Sequence, residues 1–242
     1  MKRLIFLVAL ISTTAFAQRA VAPNDSFASD VQTIPVVANT AGLNGAQFQS
    51  YVAIFNPTAS SFTITASLYD ANGMKTDKPI TLAAGQLQTF TNFMADVFGT
   101  IGGGAVTLRA PDPSNRFIVS SEVRTGRYST VVPALEFAGS SSQSFAPGIT
   151  VDSTARTNVG CYNQSSSANT VKANIFAGGG QSAIGTVTLN LAPNAWGQAA
   201  VGSVVSNGYV QFVPSDNAVC YAVVVDNSTN DGRFISAAEY RP

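Results

Sequence analysis

Ser61-Phe-Thr-Ile-Thr-Ala-Ser-Leu-Tyr-Asp-Ala-Asn-Gly73 is the stretch on which the fold reading turns. Phe62, Ile64, Ala66 and Leu68 alternate with Ser61, Thr63, Thr65 and Ser67. A period of two puts the apolar side chains on one face of a strand and the hydroxyls on the other. Asp70-Ala-Asn-Gly73 then supplies a turn. Val171, Ala173 and Ile175 repeat the alternation later, and Phe117, Val119, Ser121 and Val123 share one face, as do Cys220, Ala222 and Val224. Asn56-Pro57, Asn207-Gly208 and Asn230-Asp-Gly232 mark further turns. Only Phe90 to Phe98 reads as a short helical turn, with Ala199 to Val205 as a weaker counterpart.

Self-comparison extends the pattern. Gln49–Asn56 matches Arg156–Asn163 at an offset of 107, and Ala66–Gly73 matches Ala173–Gly180 at the same offset. Gly104–Leu108 matches Gly208–Phe212 at 104, and Pro133–Phe137 matches Ser236–Tyr240 at 103. The drifts fall in Gly- and Asn-rich turns, where insertions are tolerated. The expected fold is all-β: two tandem antiparallel Ig-like β-sandwich domains related by an internal repeat, of about seven strands each. The first covers 47–139 and the second 145–242, joined by a Ser-rich linker at 140–144. Residues 18–46 form an N-terminal extended segment, either a disordered lead or a strand that completes a sheet.

Residues 1–17 have the parts of a signal peptide: Lys2 and Arg3, the apolar run Leu4–Ile11, and Ala15-Phe-Ala17. The run is shorter than the roughly 20 residues of a membrane-spanning helix. No later apolar stretch follows, so no membrane insertion is expected after cleavage. Removing Lys2 and Arg3 from 13 basic residues leaves 11, against 13 acidic ones. That lacks the basic excess on which generic nucleic-acid binding relies. Charged residues make up 11% of the chain, against about 25% in typical soluble proteins, so the surface depends on neutral hydroxyls and amides. The expected location is secreted, extracellular or cell-surface, with the periplasm as the alternative.

The two cysteines, Cys161 and Cys220, align with Ile54 and Phe117, core-facing positions of the first copy. An exported chain meets an oxidising compartment, so a structural disulfide between two different sheets is expected. It would contribute about 4 kcal/mol by loop entropy. Two buried free thiols are the alternative.

Candidate chemistry is sparse. The chain has no histidine, which removes the commonest general base and zinc ligand. No catalytic residue, metal or cofactor is expected. Glu122, Glu136 and Glu239 are the only glutamates, and the last two occupy one repeat position in separate domains. Asp70 with Asn72, and Asp226 with Asn227 and Asp231, have oxygen ligands suited to calcium but sit in turns, where such residues occur anyway. Lys172 with Glu239 is the one pair worth weighing for an isopeptide bond, and Lys172 alternates away from its apolar neighbours. Gly102–Gly104 and Gly178–Gly180 lack the Lys-Ser/Thr of a phosphate loop. Trp196 is the candidate ligand contact, through stacking on a sugar, with domain packing as the alternative.

Tyr51-Val-Ala-Ile-Phe-Asn-Pro57, followed by Ser61–Gly73, resembles poorly characterised bacterial extracellular tandem β-sandwich repeat proteins of Ig-like type. The second copy departs from the pattern with Gln164 in place of the proline. The resemblance implies a secreted Ig-like architecture and carries no catalytic residues. The expected function is a non-enzymatic structural or adhesive protein. It would have protein partners or self-associate at the cell surface, one variant being a filament to which residues 18–46 donate a strand. A glycan-binding module and a periplasmic accessory protein are the alternatives.

Overall fold

Burial follows the alternation: Phe62, Ile64, Ala66 and Leu68 face inward while Thr63 and Thr65 are exposed. The computed structural model describes residues 28–136 and 139–239. The expected signal peptide at 1–17, and the rest of the chain up to residue 27, lie outside them. Nearly every regular element is a strand, and every strand pairing is antiparallel. The first half carries β1 (Val31–Ala41), β2 (Gln47–Phe55), β3 (Phe62–Tyr69), β4 (Lys75–Leu82), β5 (Leu87–Phe90), β6 (Gly102–Arg109), β7 (Ile118–Thr125) and β8 (Tyr128–Val131). The second carries β9 (Ser144–Val151), β10 (Ala155–Asn163), β11 (Asn169–Phe176), β12 (Gly185–Leu191), β13 (Trp196–Ala200), β14 (Val205–Pro214), β15 (Ala218–Asp226), β16 (Gly232–Ser236) and the short β17 (Ala238–Glu239).

The halves share one strand order. β4-β3-β6-β1 corresponds to β12-β11-β14-β9, and β5-β2-β7-β8 to β13-β10-β15-β16. The long β1 comes from the N-terminal extended segment. It pairs β6 along its first part and β2 at its end, with an irregularity between Ile34 and Val37, and so joins both sets in one sheet. It supplies the eighth strand of the first half. Each half has its own apolar cluster, one around Ile34, Ile54, Ile64 and Leu108, the other around Ile149, Val159, Ile175 and Phe212. The stretch read as a linker is tied to the second half, because Ser140 bridges Ala218 and Ser144 opens β9.

Two repeated features explain the shared motifs. Asn56 is fully buried; its amide donates to the carbonyls of Ser60, Leu82 and Ala83, and its oxygen accepts from Thr58. Asn163 does the same with Ser167, Ala192 and Ser165. Each amide satisfies turn groups that would otherwise be buried at about 1–3 kcal/mol apiece. The glycine opening the later strand is a matter of space: a Cβ on Gly104 would lie 2.6 Å from the Tyr69 carbonyl oxygen, and one on Gly208 would collide with that of Phe176.

Three expectations are corrected. Cys161 and Cys220 are disulfide-bonded, but they face each other on neighbouring strands β10 and β15 of one sheet, not across two sheets. The equivalent first-half pair is Ile54 with Val119, not Phe117. A sequence alignment cannot see the pairing register that places Val119 opposite Ile54. The helical element is only a π-helical turn at Met94–Phe98, ended by Gly99 in the left-handed region. Its expected counterpart is not helical: β13 runs to Ala200, β14 begins at Val205, and the residues between are irregular. Among the described residues no helix is long and apolar enough to cross a membrane. The disulfide fits an oxidising, non-cytoplasmic compartment.

Candidate functional site

Tyr162 and Tyr221 sit at positions of β10 and β15 that point away from their own core, yet both are buried. What covers them is the first half. The outer face of β3 and β6 packs on the outer face of β10, β13 and β15, and β8 lies along β16, where a Cβ on Gly232 would collide with the Thr130 hydroxyl. The Tyr69 and Tyr162 rings lie 5.2 Å apart. The Trp196 backbone N–H donates to the Asp70 carbonyl at 3.0 Å. Its indole lies over Gly103, where an added Cβ would come within 2.9 Å of the ring.

Behind the indole runs a chain of polar contacts. Trp196 Nε1 donates to the Tyr221 hydroxyl at 3.0 Å, and that hydroxyl donates to Gln198 Oε1 at 3.0 Å. The Tyr221 ring presses on Gly160 and stacks on Phe234 at 5.0 Å. Tyr221 belongs to the first half's apolar cluster. Burial pushes both the Tyr162 and Tyr221 phenols well above the ordinary tyrosine range, with Trp196 opposing the rise at Tyr221. They therefore act as neutral hydrogen-bonding groups.

Beside this contact lies a cleft of about 340 Å³, within the size range of small-molecule sites. Val36, Val37, Phe48 and Val132 line it from the first half, and Trp196, Val223 and Phe234 from the second. Gln198, Asn158, Thr130 and Arg156 add polar groups. Arg156 donates to Asn227 Oδ1 at 3.0 Å and to Asn230 Oδ1 at 2.7 Å. Burial lowers its pKa, with the Asp226 charge opposing. The cleft thus combines aromatic surface, neutral amides and one guanidinium hydrogen-bonded to amide oxygens.

Trp196 accordingly serves the packing of the halves and also lines the cleft. Cys161 and Cys220 lie on the core side of β10 and β15 and line no part of it. Glu122 is paired with Arg124, whose guanidinium sits 3.8 Å from the Tyr51 ring centroid. Burial works against the Glu122 charge, but hydrogen bonds with Ser129 and Arg124 outweigh it and hold the carboxyl below its ordinary value. Asp70 Oδ1 accepts from Asn72 and Met74, and Asp226 Oδ1 from Ser228 and Thr229, so both oxygens are taken up in their own turns. Among the described residues no three His, Cys, Asp or Glu side chains gather as a metal site. Lys172 on β11 and Glu239 on β17 are separated in their sheet by β14 and β9.

Arg156, Tyr162 and Tyr221 were not picked out from sequence as site residues. The signal was present: large aromatics on the phase of the alternation that solvent should occupy, Tyr162 beside Cys161 and Tyr221 beside Ala222. No protein-family model matches the chain, and no curated protein matches it.

Proposed function

We propose that this is an exported, non-enzymatic structural or adhesive protein built from two Ig-like sandwich domains, acting at the cell surface. The observation that carries it is the outer face of β5, β2, β7 and β8. There Leu87 (61% exposed), Ile118 (38%) and Val131 (69%) stand in solvent on a rigid sheet. Single exposed apolar residues need no explanation, whereas several on one sheet face mark a contact surface. The absence of histidine from the sequence and the engagement of Glu122 with Arg124 support a non-catalytic role. The bacterial extracellular repeat family named above remains part of this proposal.

The test is retention of purified residues 18–242 on envelope preparations of the producing cell. Saturable binding that Leu87→Glu abolishes is the expected result. Equal retention of wild type and variant, or none of either, would overturn the adhesive role.

The cleft favours a second reading, glycan binding, because Trp196, Gln198 and Arg156 converge there. Arg156→Ala leaves the Trp196 packing in place. Glycan-array binding lost in that variant would support this reading, and no binding by wild type would remove it.

A further inference from the structure

The two halves share one strand order, so each outer face in one has a counterpart in the other. The contact between them is heterologous: the β3/β6 face of the first half, with β1 and β8 beside it, meets the β10/β13/β15 face of the second, with β16 lying along β8. The outer faces of β11 and β14 in the second half and of β2, β5 and β7 in the first lie outside that contact; β2 and β7 reach the cleft only with Phe48, Val123 and Thr125.

Pairing registers map the faces residue by residue. On the covering face, Tyr162 pairs with Trp196 and Val219, and Val223 with Phe234. Their counterparts are Phe55, which pairs with Leu87 and Ile118, and Glu122, which pairs with Val131. The positions of Trp196, Val219 and Phe234, apolar and packed in the second half, are thus filled in the first by Leu87, Ile118 and Val131, apolar and exposed. On the covered face, Tyr69 corresponds to Phe176, and Gly103 to Asn207. Phe176 is half-exposed and stacked on Tyr209 at 4.7 Å, with Phe145 beside them at 6.4 Å and exposed Pro147 opposite Tyr209.

We propose that a second copy of this chain docks on the β11/β14 face through its own β2/β5/β7 face, repeating between molecules the contact made inside each one. Phe55 of the incoming copy then meets Phe176 as Tyr162 meets Tyr69, and Leu87 lies over Asn207 as Trp196 lies over Gly103. A head-to-tail contact of this kind leaves one free face of each type after every addition, so it grows as a filament unless its rotation closes a ring. β1 is already paired within its own half, so this growth needs no strand exchange. The inference rests on the structural reading above.

Sedimentation velocity of residues 18–242 over a wide concentration range tests it. The weight-average mass should rise past the dimer, and Leu87→Glu and Phe176→Glu should each return it to the monomer. An equimolar mixture of the two variants retains one intact pair of faces and should stop at the dimer. Pro147→Glu, at an exposed position of the same face, should act like Phe176→Glu and stands in for it if thermal melts show that variant misfolded. A wild type that remains monomeric at its solubility limit, or a mixture of variants that forms no dimer, would overturn the proposal. Envelope retention of a monomeric wild type would leave the adhesive role standing while the stacking contact fails.

Discussion

The β3/β6 face of the first half and the β11/β14 face of the second occupy equivalent places in the same strand order, yet one is covered and the other is not. The covered face is made of small and flat groups, Gly103, Ala105 and Thr107 beside Tyr69. The equivalent positions of the other are Asn207, Tyr209 and Gln211 beside Phe176. There Gln143, just before β9, and Gln211, Asn174 and Thr186 on three neighbouring strands hydrogen-bond one to the next. A shared backbone therefore does not dictate a shared surface: small residues on one face admit the indole of Trp196, whereas linked amides and stacked aromatic rings cover the other. The cores differ in the same way, a disulfide in the second half standing where the first has Ile54 against Val119.

Removing the bridge should break the comparison most. Cys161→Ala with Cys220→Ala should destabilise the second half by about 4 kcal/mol on the loop-entropy account. Urea unfolding followed through Trp196, the only tryptophan, reads this directly. Cys161→Ile with Cys220→Val, the first half's own pair, should restore part of the loss. Equal stability of wild type and the alanine variant would show that the bridge does not hold this half together.

The paired glycines sharpen the comparison at an intermediate scale. Gly104→Ala and Gly208→Ala each drive a methyl into the neighbouring strand's carbonyl, a strain of about 1–3 kcal/mol. The two costs should be similar in thermal melts, because both glycines meet the same repeat-equivalent atom. A large cost at one and none at the other would mean that the halves do not share this packing constraint.

The smallest effect separates the hairpins after β7 and β15. The first turns tightly at Gly126, while the second is closed by Asp226, whose hydrogen bonds from Ser228 and Thr229 hold its pKa at about 2, from an ordinary 3.8. A depressed carboxylate stabilises the fold above its unfolded pKa, and that contribution fades as pH falls from about 4 to about 2. The protection factors of the Ser228 and Thr229 amides should fall over that window, and Asp226→Asn should flatten the response. Unchanged protection throughout the window would count against Asp226 as the closing group.

Much of the fold was legible in the sequence because alternation is local. Ser61–Tyr69 declares its inward face by itself, and the repeat carries that reading to Val171–Ile175. Asn56 is legible as a turn marker and Asn163 as its repeat partner, but the carbonyls they satisfy lie up to 29 residues away, so their burial is not. The candidate site was harder to see. Trp196 is legible as the only tryptophan, whereas Tyr162, Tyr221 and Arg156 matter through what the other half brings to them.

By itself, then, the sequence determined strands, turns, the repeat and the identity of the bonded cysteines, since each depends on neighbours in the chain or on there being only two thiols. Tertiary structure alone decided three things: that β1 belongs to the first half's sheet, that the disulfide lies within one sheet, and that Trp196 packs between the halves. Each depends on strand register and on the fit of distant surfaces, for which one residue of slip turns every side chain to the opposite face.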